Sequence, residues 1–468
     1  MAERQSIHGQ WSSRLVFILA ATGSAVGLGN IWKFPYITGE NGGGAFVLVY
    51  LLCIAVVGVP IMMAEIMLGR RGRQSPINTM ATLSKDEGRK GGWSLIGWGG
   101  VLAGFFILSY YSVIAGWALA YVLRAAGNSF SGIDAAGVES MFNGLVGDPE
   151  RVLAWHTLFM LMSMFVVAKG VKAGLEKAVT YLMPALVVLL VILVGYAFNT
   201  GYFIQGLEFL FTPDFNKLFY QCEVVAGLEQ CEVSGGPVLV ALGHAFFTLS
   251  LGMGAIMVYG SYMPKKTSIA GSAILIASLD TLVALVAGMA IFPIVFANGL
   301  EPAAGPGLIF QTLPIAFGAM PGGHLFGTLF FVLLVFAAWS SAISLIEPAV
   351  AWLVENRNMT RIRAATWIGL ITWLLGLGSV FSFNIWSGES YQLFGKTFFD
   401  LLDYLAANIM LPLGGLLIAV FSGWIMKTAS SRDEFAMGEG SYKVWLNVIR
   451  YVSPLAVVAV FLRAIGVI

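Results

Sequence analysis

Charge is scarce in this 468-residue chain. Asp, Glu, Lys and Arg make up 11% of it, where a soluble domain carries about 25%. The 25 acids and 26 bases nearly cancel, at a net charge of +1, so there is no basic footprint for nucleic acid. Histidine is rarer still. His8, His156, His244 and His324 are scattered, with no metal-ligand spacing. No phosphate-cradling loop or G-x-G-x-x-G motif follows a strand pattern. These absences argue against an enzyme and an organic cofactor. No stretch reads as a soluble domain. The first apolar stretch is too long for a signal-peptide core and lacks a small-residue cleavage site.

Apolar residues fill the space that charge vacates. They make up 58% of the chain, with 56 glycines and 13 tryptophans. A helix needs about 20 mostly apolar residues to span a bilayer. Eleven segments qualify: 14–38, 44–69, 95–125, 153–168, 175–198, 237–262, 268–297, 324–354, 362–385, 398–426 and 443–466. A closed barrel would read as weak alternating stretches, and these do not alternate. The expectation is an all-α polytopic membrane protein with lipid around it. Most of the 26 basic residues, Arg70, Arg71, Arg73, Lys169 and Lys177 among them, fall on the side shared by the N-terminus. By the positive-inside rule that side is cytoplasmic, which leaves the C-terminus outside. Cys53 falls in the second span. Cys222 and Cys231 share the outer loop 199–236 and read as a disulfide on the oxidising face, the alternative being two free thiols.

Two spans carry glycine clusters at mid-membrane: GSAVGLGN at 23–30 and TLSLGMG at 248–254. Glycine inside a helix costs about 1 kcal/mol relative to alanine. Unwound backbone is tolerated at that depth only where it lines a cavity or is buried in protein. The two clusters lie in spans 1 and 6, so each opens a unit of five. Interrupted helices at matching positions point to a carrier built as inverted repeats.

The residues around these breaks carry a family resemblance. SRLVFILAATGSAVGLGNIWKFPY (13–36), ENGGGAF (40–46) and GHAFFTLSLGMGAI (243–256) are similar to signatures of the neurotransmitter:sodium symporters. So are SYYSVIAGW (109–117), AAWSSAISLIEP (337–348) and LLDYLAANIMLP (401–412). The chain most resembles the bacterial amino-acid transporters of the leucine-transporter type. The resemblance implies a 5+5 inverted repeat with eleven transmembrane helices and unwound helices 1 and 6. It divides the chain into a cytoplasmic tail 1–13, a first repeat 14–198, an extracytoplasmic loop 199–236, a second repeat 237–426, and a linker with helix 11 at 427–468. It also implies a bacterial inner-membrane location, two sodium ions, and an amino acid as the small-molecule cargo.

The residue roles follow from the same resemblance. The first sodium site would use Ala25, Asn30, Thr248 and Asp280 with the substrate carboxylate. The second would use Gly23, Val26, Ala337, Ser340 and Ser341. Substrate would meet Ala25, Leu28, Gly29, Ile107, Tyr111, Phe247, Thr248, Ser250, Met253, Ser341 and Leu345. Tyr111 and Phe247 would form a thin outer lid beneath an ion pair of Lys33 with Asp403, or alternatively Asp400. Trp11 would seal the inner exit. Glu355 would latch it, with His8 where the family has a basic residue and Arg4 as a substitute. Gly174 and Pro184 would let span 5 unwind.

Three departures shape the expected chemistry. Asp280 stands where the family often has asparagine, and Ala284 where chloride-dependent relatives have serine. A fixed carboxylate would then replace chloride, and the empty carrier would return with a proton on Asp280. Gly27 stands where monoamine carriers have aspartate, so the cargo must bring its own carboxylate. Met253 replaces a phenylalanine and can repack around large side chains. The expectation is chloride-independent, sodium-coupled import of a hydrophobic or aromatic amino acid. Small aliphatic cargo, or a channel, are the alternatives.

Overall fold

The computed structural model describes residues 4–89, 91–225, 228–233, 235–302, 307–464 and 467, with the side chains of 221–233, 463 and 464 outside that description. Among these residues, nine helices are long and apolar enough to cross a membrane. A tenth span is the bent pair Arg14–Ala25 and Gly29–Glu40. The eleventh, span 6, is split into Gly236–Thr248 and Ala255–Ser261, each too short to cross alone. The others are span 2 (Gly44–Gly72), span 3 (Ser94–Ala126), span 4 (Pro149–Ala168), span 5 (Val171–Phe198), span 7 (Ile269–Ala297), span 8 (Gly323–Arg357), span 9 (Arg361–Phe381), span 10 (Phe398–Ile425) and span 11 (Glu439–Leu462).

The sequence reading missed the short helices between spans. Pro76–Asp86 follows span 2, while Ala135–Val146 and Leu308–Ala319 flank spans 4 and 8. The loop after span 5 holds an antiparallel hairpin, Tyr220–Val225 with Leu228–Val233, whose register sets Cys222 opposite Cys231. Whether those thiols bond lies outside the described side chains.

Proline explains most of the helix irregularities. Of seven π-helical turns among the described residues, five run directly into a helix with proline as its second residue: Pro35, Pro60, Pro314, Pro412 and Pro454. Proline donates no backbone hydrogen bond and its ring crowds the carbonyl four residues back. That carbonyl falls inside the π turn each time, where a wider turn takes up the clash.

Burial separates centre from rim. In spans 3 and 8, 78% of the most apolar window is buried, against 33% in spans 5 and 11. Spans 3 and 8 pack along each other. They touch where Gly104 faces Leu345, and a Cβ on Gly104 would lie 2.7 Å from the Leu345 carbonyl oxygen. The broken spans 1 and 6 lie against this central pair. The peripheral spans present apolar side chains such as Leu161, Phe165, Val191 and Leu455 outward, as lipid requires.

Candidate functional site

The two helix breaks meet. Span 1 ends at Ala25 and resumes at Gly29 after a bend of 52°. The break in span 6 runs from Leu249 to Gly254, with Ser250, Gly252 and Gly254 at φ of 54°, 80° and 76°. Left-handed backbone costs a non-glycine residue about 1–2 kcal/mol. At Ser250 a hydrogen bond offsets this, since its hydroxyl donates to the Ser24 carbonyl at 2.9 Å and ties one break to the other. The Gly252 N–H donates to Glu65 at 2.6 Å. Glu65 lies on span 2 and is fully buried. The sequence reading passed over it, although a lone carboxylate in MMAEIML is the same signal that singled out Asp280.

Around the breaks, polar groups gather in two clusters. In the first, Asn30 donates through Nδ2 to the Asp280 carbonyl at 3.0 Å and to its carboxylate at 2.8 Å. The Thr248 hydroxyl donates to the other carboxylate oxygen at 3.0 Å. Asn30 also accepts the Gly27 N–H at 2.9 Å, which stabilises the first break. All three side chains are buried, and no cation pairs with Asp280 among the described residues. The cluster offers carboxylate and hydroxyl oxygens, the kind a hard cation prefers, while the Asn30 amide oxygen is engaged by the Gly27 N–H. Thr248, expected to meet both ion and substrate, turns its hydroxyl to Asp280 and is not among the residues lining the central chamber.

The second cluster lies between spans 1 and 8. The Ser341 hydroxyl donates to the carbonyls of Ser24 and Val26, both at 3.1 Å. The Ser340 hydroxyl donates to Ala337 at 3.0 Å and to Val26 at 3.5 Å. Both hydroxyls can turn lone pairs toward a cation that these same carbonyls face. Gly23 closes the cluster against span 5, for a Cβ there would lie 2.9 Å from Met183 Sδ.

Between the clusters is a small chamber of about 20 Å³. Ten of the eleven expected substrate residues line it, all but Thr248; Ser24 and Gly27 join them. The Leu28 N–H donates to the Tyr111 hydroxyl at 3.1 Å, which places a phenol and freed backbone at one end. Ile107, Met253 and Leu345 make the apolar end. No side chain fits at Gly27, where a Cβ would lie 2.5 Å from Ser341 Oγ and 2.8 Å from the Tyr111 oxygen.

Above the chamber opens a vestibule of about 390 Å³. Leu28, Tyr111 and Phe247 line both cavities and are therefore the partition between them. Lys33, Asp400 and Asp403 also line the vestibule. The expected ion pair is not made in this conformation. The Lys33 ammonium lies 4.7 Å from the centre of the Phe247 ring instead, and no ion pair joins it to either aspartate.

The opposite end is sealed. Trp11 is buried, its indole donating to the Tyr259 carbonyl and its backbone N–H to the Tyr262 carbonyl, each at 3.0 Å. Glu355 is held from three directions: by His8 Nε2 at 3.0 Å, by the N–H and hydroxyl of Ser75 at 2.7 and 2.5 Å, and by Asn78 at 2.7 Å. Arg4 pairs with Asp86 at 2.7 Å and so is not the substitute partner. Glu347, fully buried, accepts from the Tyr262 hydroxyl at 2.7 Å and pairs with Arg361.

Span 5 departs from expectation. Residues 174–184 are not unwound, but form a π turn at Val171–Glu176 and then continuous α-helix through Pro184. Gly174 is explained here by packing, since a side chain would strike the Val166 carbonyl.

Fold and site together define a polytopic helical carrier, with a chamber at mid-membrane between two broken helices. A model of the sodium:neurotransmitter symporter family matches residues 8–132 and 146–468. The chain belongs to that family: it is a sodium-dependent transporter of the leucine-transporter fold, not an enzyme. It is 38% identical to an uncharacterized sodium-dependent transporter, YhdH, of Bacillus subtilis, over 100% of this chain and 99% of the relative. A dopamine transporter of Bos taurus is 25% identical, over 95% of this chain and 67% of its own. Among solved structures, MhsT in complex with L-phenylalanine superposes with a TM-score of 0.87 at 43% identity, covering 97% of this chain and 99% of that one.

Proposed function

We propose that this protein is a sodium-coupled symporter that imports a hydrophobic or aromatic L-amino acid by alternating access, without chloride. The observation that carries this reading is the chamber between the two breaks. One end offers the Tyr111 hydroxyl and freed backbone for a carboxylate and an amine. The other is apolar, and Gly27 leaves no room for a protein carboxylate that would pair with an amine. The similar transporter MhsT holds L-phenylalanine, which supports the cargo class.

Two sodium ions are assigned as cargo partners, one to Ala25, Asn30, Thr248 and Asp280, the other to Gly23, Val26, Ala337, Ser340 and Ser341. The substrate carboxylate completes the first. Asp280 balances the positive charge brought into a low-dielectric site, where an unpaired charge is costly. The conformation described is sealed at the Trp11 end and open above Phe247. We assign the Trp11 end to the cytoplasm of a bacterial inner membrane.

Uptake of labelled phenylalanine into proteoliposomes tests this. Replacing external sodium with choline is expected to abolish uptake, since inward sodium is worth about 2.3 kcal/mol per charge per 100 mV. Replacing chloride with gluconate is expected to leave it unchanged. Competition by all twenty amino acids ranks the cargo, and strongest competition by glycine or alanine would overturn the cargo assignment.

A further inference from the structure

A further cavity, separate from the chamber and the vestibule, opens between spans 4, 5 and 8. It is a groove of about 270 Å³. Leu182 and Trp339 line it, with Phe165, Ala178 and Tyr181. Phe165 and Tyr181 are 62% and 68% exposed, so this surface is open to whatever surrounds the protein at that depth. Lys169 and Lys177 also line it, one at the end of span 4 and the other one turn into span 5. The Lys169 ammonium lies 4.0 Å from the centre of the Phe165 ring, so one cation sits directly against the apolar wall.

No acid lines the groove to neutralise these lysines. Glu176, the acid nearest in sequence, accepts the N–H and hydroxyl of Ser12 at 3.2 and 2.5 Å. Arg361, which approaches Gly170 nearby, is neutralised by Glu347. Two cations thus border an apolar slot on a membrane-facing surface.

We infer that this groove holds one acyl chain of an anionic glycerophospholipid, with the phosphate between Lys169 and Lys177. The lysines are spaced along the membrane boundary, where basic residues favour anionic headgroups. The slot descends from them toward Leu182, about 8 Å further along the helix at 1.5 Å per residue. An acyl chain is the occupant that matches both ends, because the surrounding solvent at that depth is itself acyl chain.

The place matters for transport. Trp339 precedes Ser340, and Leu182 precedes Met183, whose sulfur packs against Gly23. Two residues of the groove are thus the chain neighbours of residues that pack at Gly23. A chain wedged there props span 5 against span 8 beside the residues assigned to the second sodium ion.

The test uses the full-length protein reconstituted in nanodiscs holding equal phosphatidylglycerol and phosphatidylcholine, then released for native mass spectrometry. One retained phosphatidylglycerol is expected, with phosphatidylcholine largely lost. K169Q/K177Q should lower that retention about tenfold, and K169R/K177R should keep it. Ala178→Trp should expel the lipid with both lysines intact. Equal retention of the two lipids, or no change in either the glutamine or the tryptophan variant, would overturn the proposal. So would displacement by millimolar inorganic phosphate, which would mark a free-anion site, or a dimer that Ala178→Trp abolishes. Retention is read without sodium or amino acid, so its failure and a failure of the transport reading are separable.

Discussion

The two ends of the transport path are closed by very different amounts of structure. At one end Glu355 gathers His8, Ser75 and Asn78, Trp11 plugs the gap, and Glu347 ties Tyr262 to Arg361. At the other, Leu28, Tyr111 and Phe247 are the partition beneath a vestibule of about 390 Å³, with Lys33 and Asp403 not paired. The thick seal spends many buried hydrogen bonds, and each must be broken before that end opens. The thin one needs only ring rotations, which cross low barriers. Net opening toward the vestibule is what this asymmetry stabilises.

The sharpest way to break the comparison is Glu355→Ala. Truncation leaves the Ser75 N–H, Asn78 and His8 without their acceptor in a buried place, and removing one partner of a buried charged network costs about 3–5 kcal/mol. Opening of the Trp11 end is then expected to become at least about a hundredfold more frequent. Hydrogen exchange of the peptide holding the Trp11 N–H, which bonds to Tyr262, reads it directly. Unchanged protection would mean Glu355 is not the latch.

His8→Arg should sharpen the comparison. A planar guanidinium in place of an imidazole can add a second parallel N–H to the contact with Glu355, worth about 1 kcal/mol. Protection of the same peptide should rise roughly fivefold. If protection falls, His8 is fitted to its site by shape, and a larger side chain disrupts it.

In the chamber, Met253→Phe adds a rigid ring next to Ile107 and Leu345 and should narrow the apolar end. A change of one or two methylenes in a pocket is worth about 1–3 kcal/mol. Competition should therefore shift from tryptophan toward leucine by roughly tenfold. An unaltered ratio would remove Met253 from the cargo contact.

Sequence and structure agree best where chemistry is local. The glycines of 23–30 and 248–254 mark both helix breaks because backbone freedom is written in the residue itself. Span lengths followed from apolar runs, and Asp280 from the expense of a carboxylate in lipid. Glu65 obeyed the same rule and was still missed, because its partner Gly252 is 187 positions away and only folding joins them. The π turns before five prolines were legible in principle, since the clash is a property of proline. The expected unwinding at 174–184 is not seen in this conformation, where a π turn at Val171–Glu176 leads into continuous helix through Pro184. The strand pair Tyr220–Val225 with Leu228–Val233 was hidden in a loop whose pattern is too short to separate strand from turn.

The smallest expected effect is at the thin end. Lys33 stands over Phe247 at 4.7 Å and makes no ion pair with Asp403 in this conformation. A cation over an aromatic face at an exposed site contributes about 0.5–1 kcal/mol. Lys33→Gln should therefore weaken phenylalanine binding only about two- to fivefold, since the lid is still made by Tyr111 and Phe247. Lys33→Arg tests the other side of the same argument. A planar fork reaches a carboxylate with two parallel bonds where ammonium offers a single point charge. Joined to Asp403, it would hold the partition shut and slow release of bound phenylalanine to the vestibule. Equilibrium and dissociation measurements on the two variants separate the roles. Weaker binding with Gln and slower release with Arg would show a latch that lysine leaves loose. No change in either would leave the aromatic pair as the whole of the outer gate.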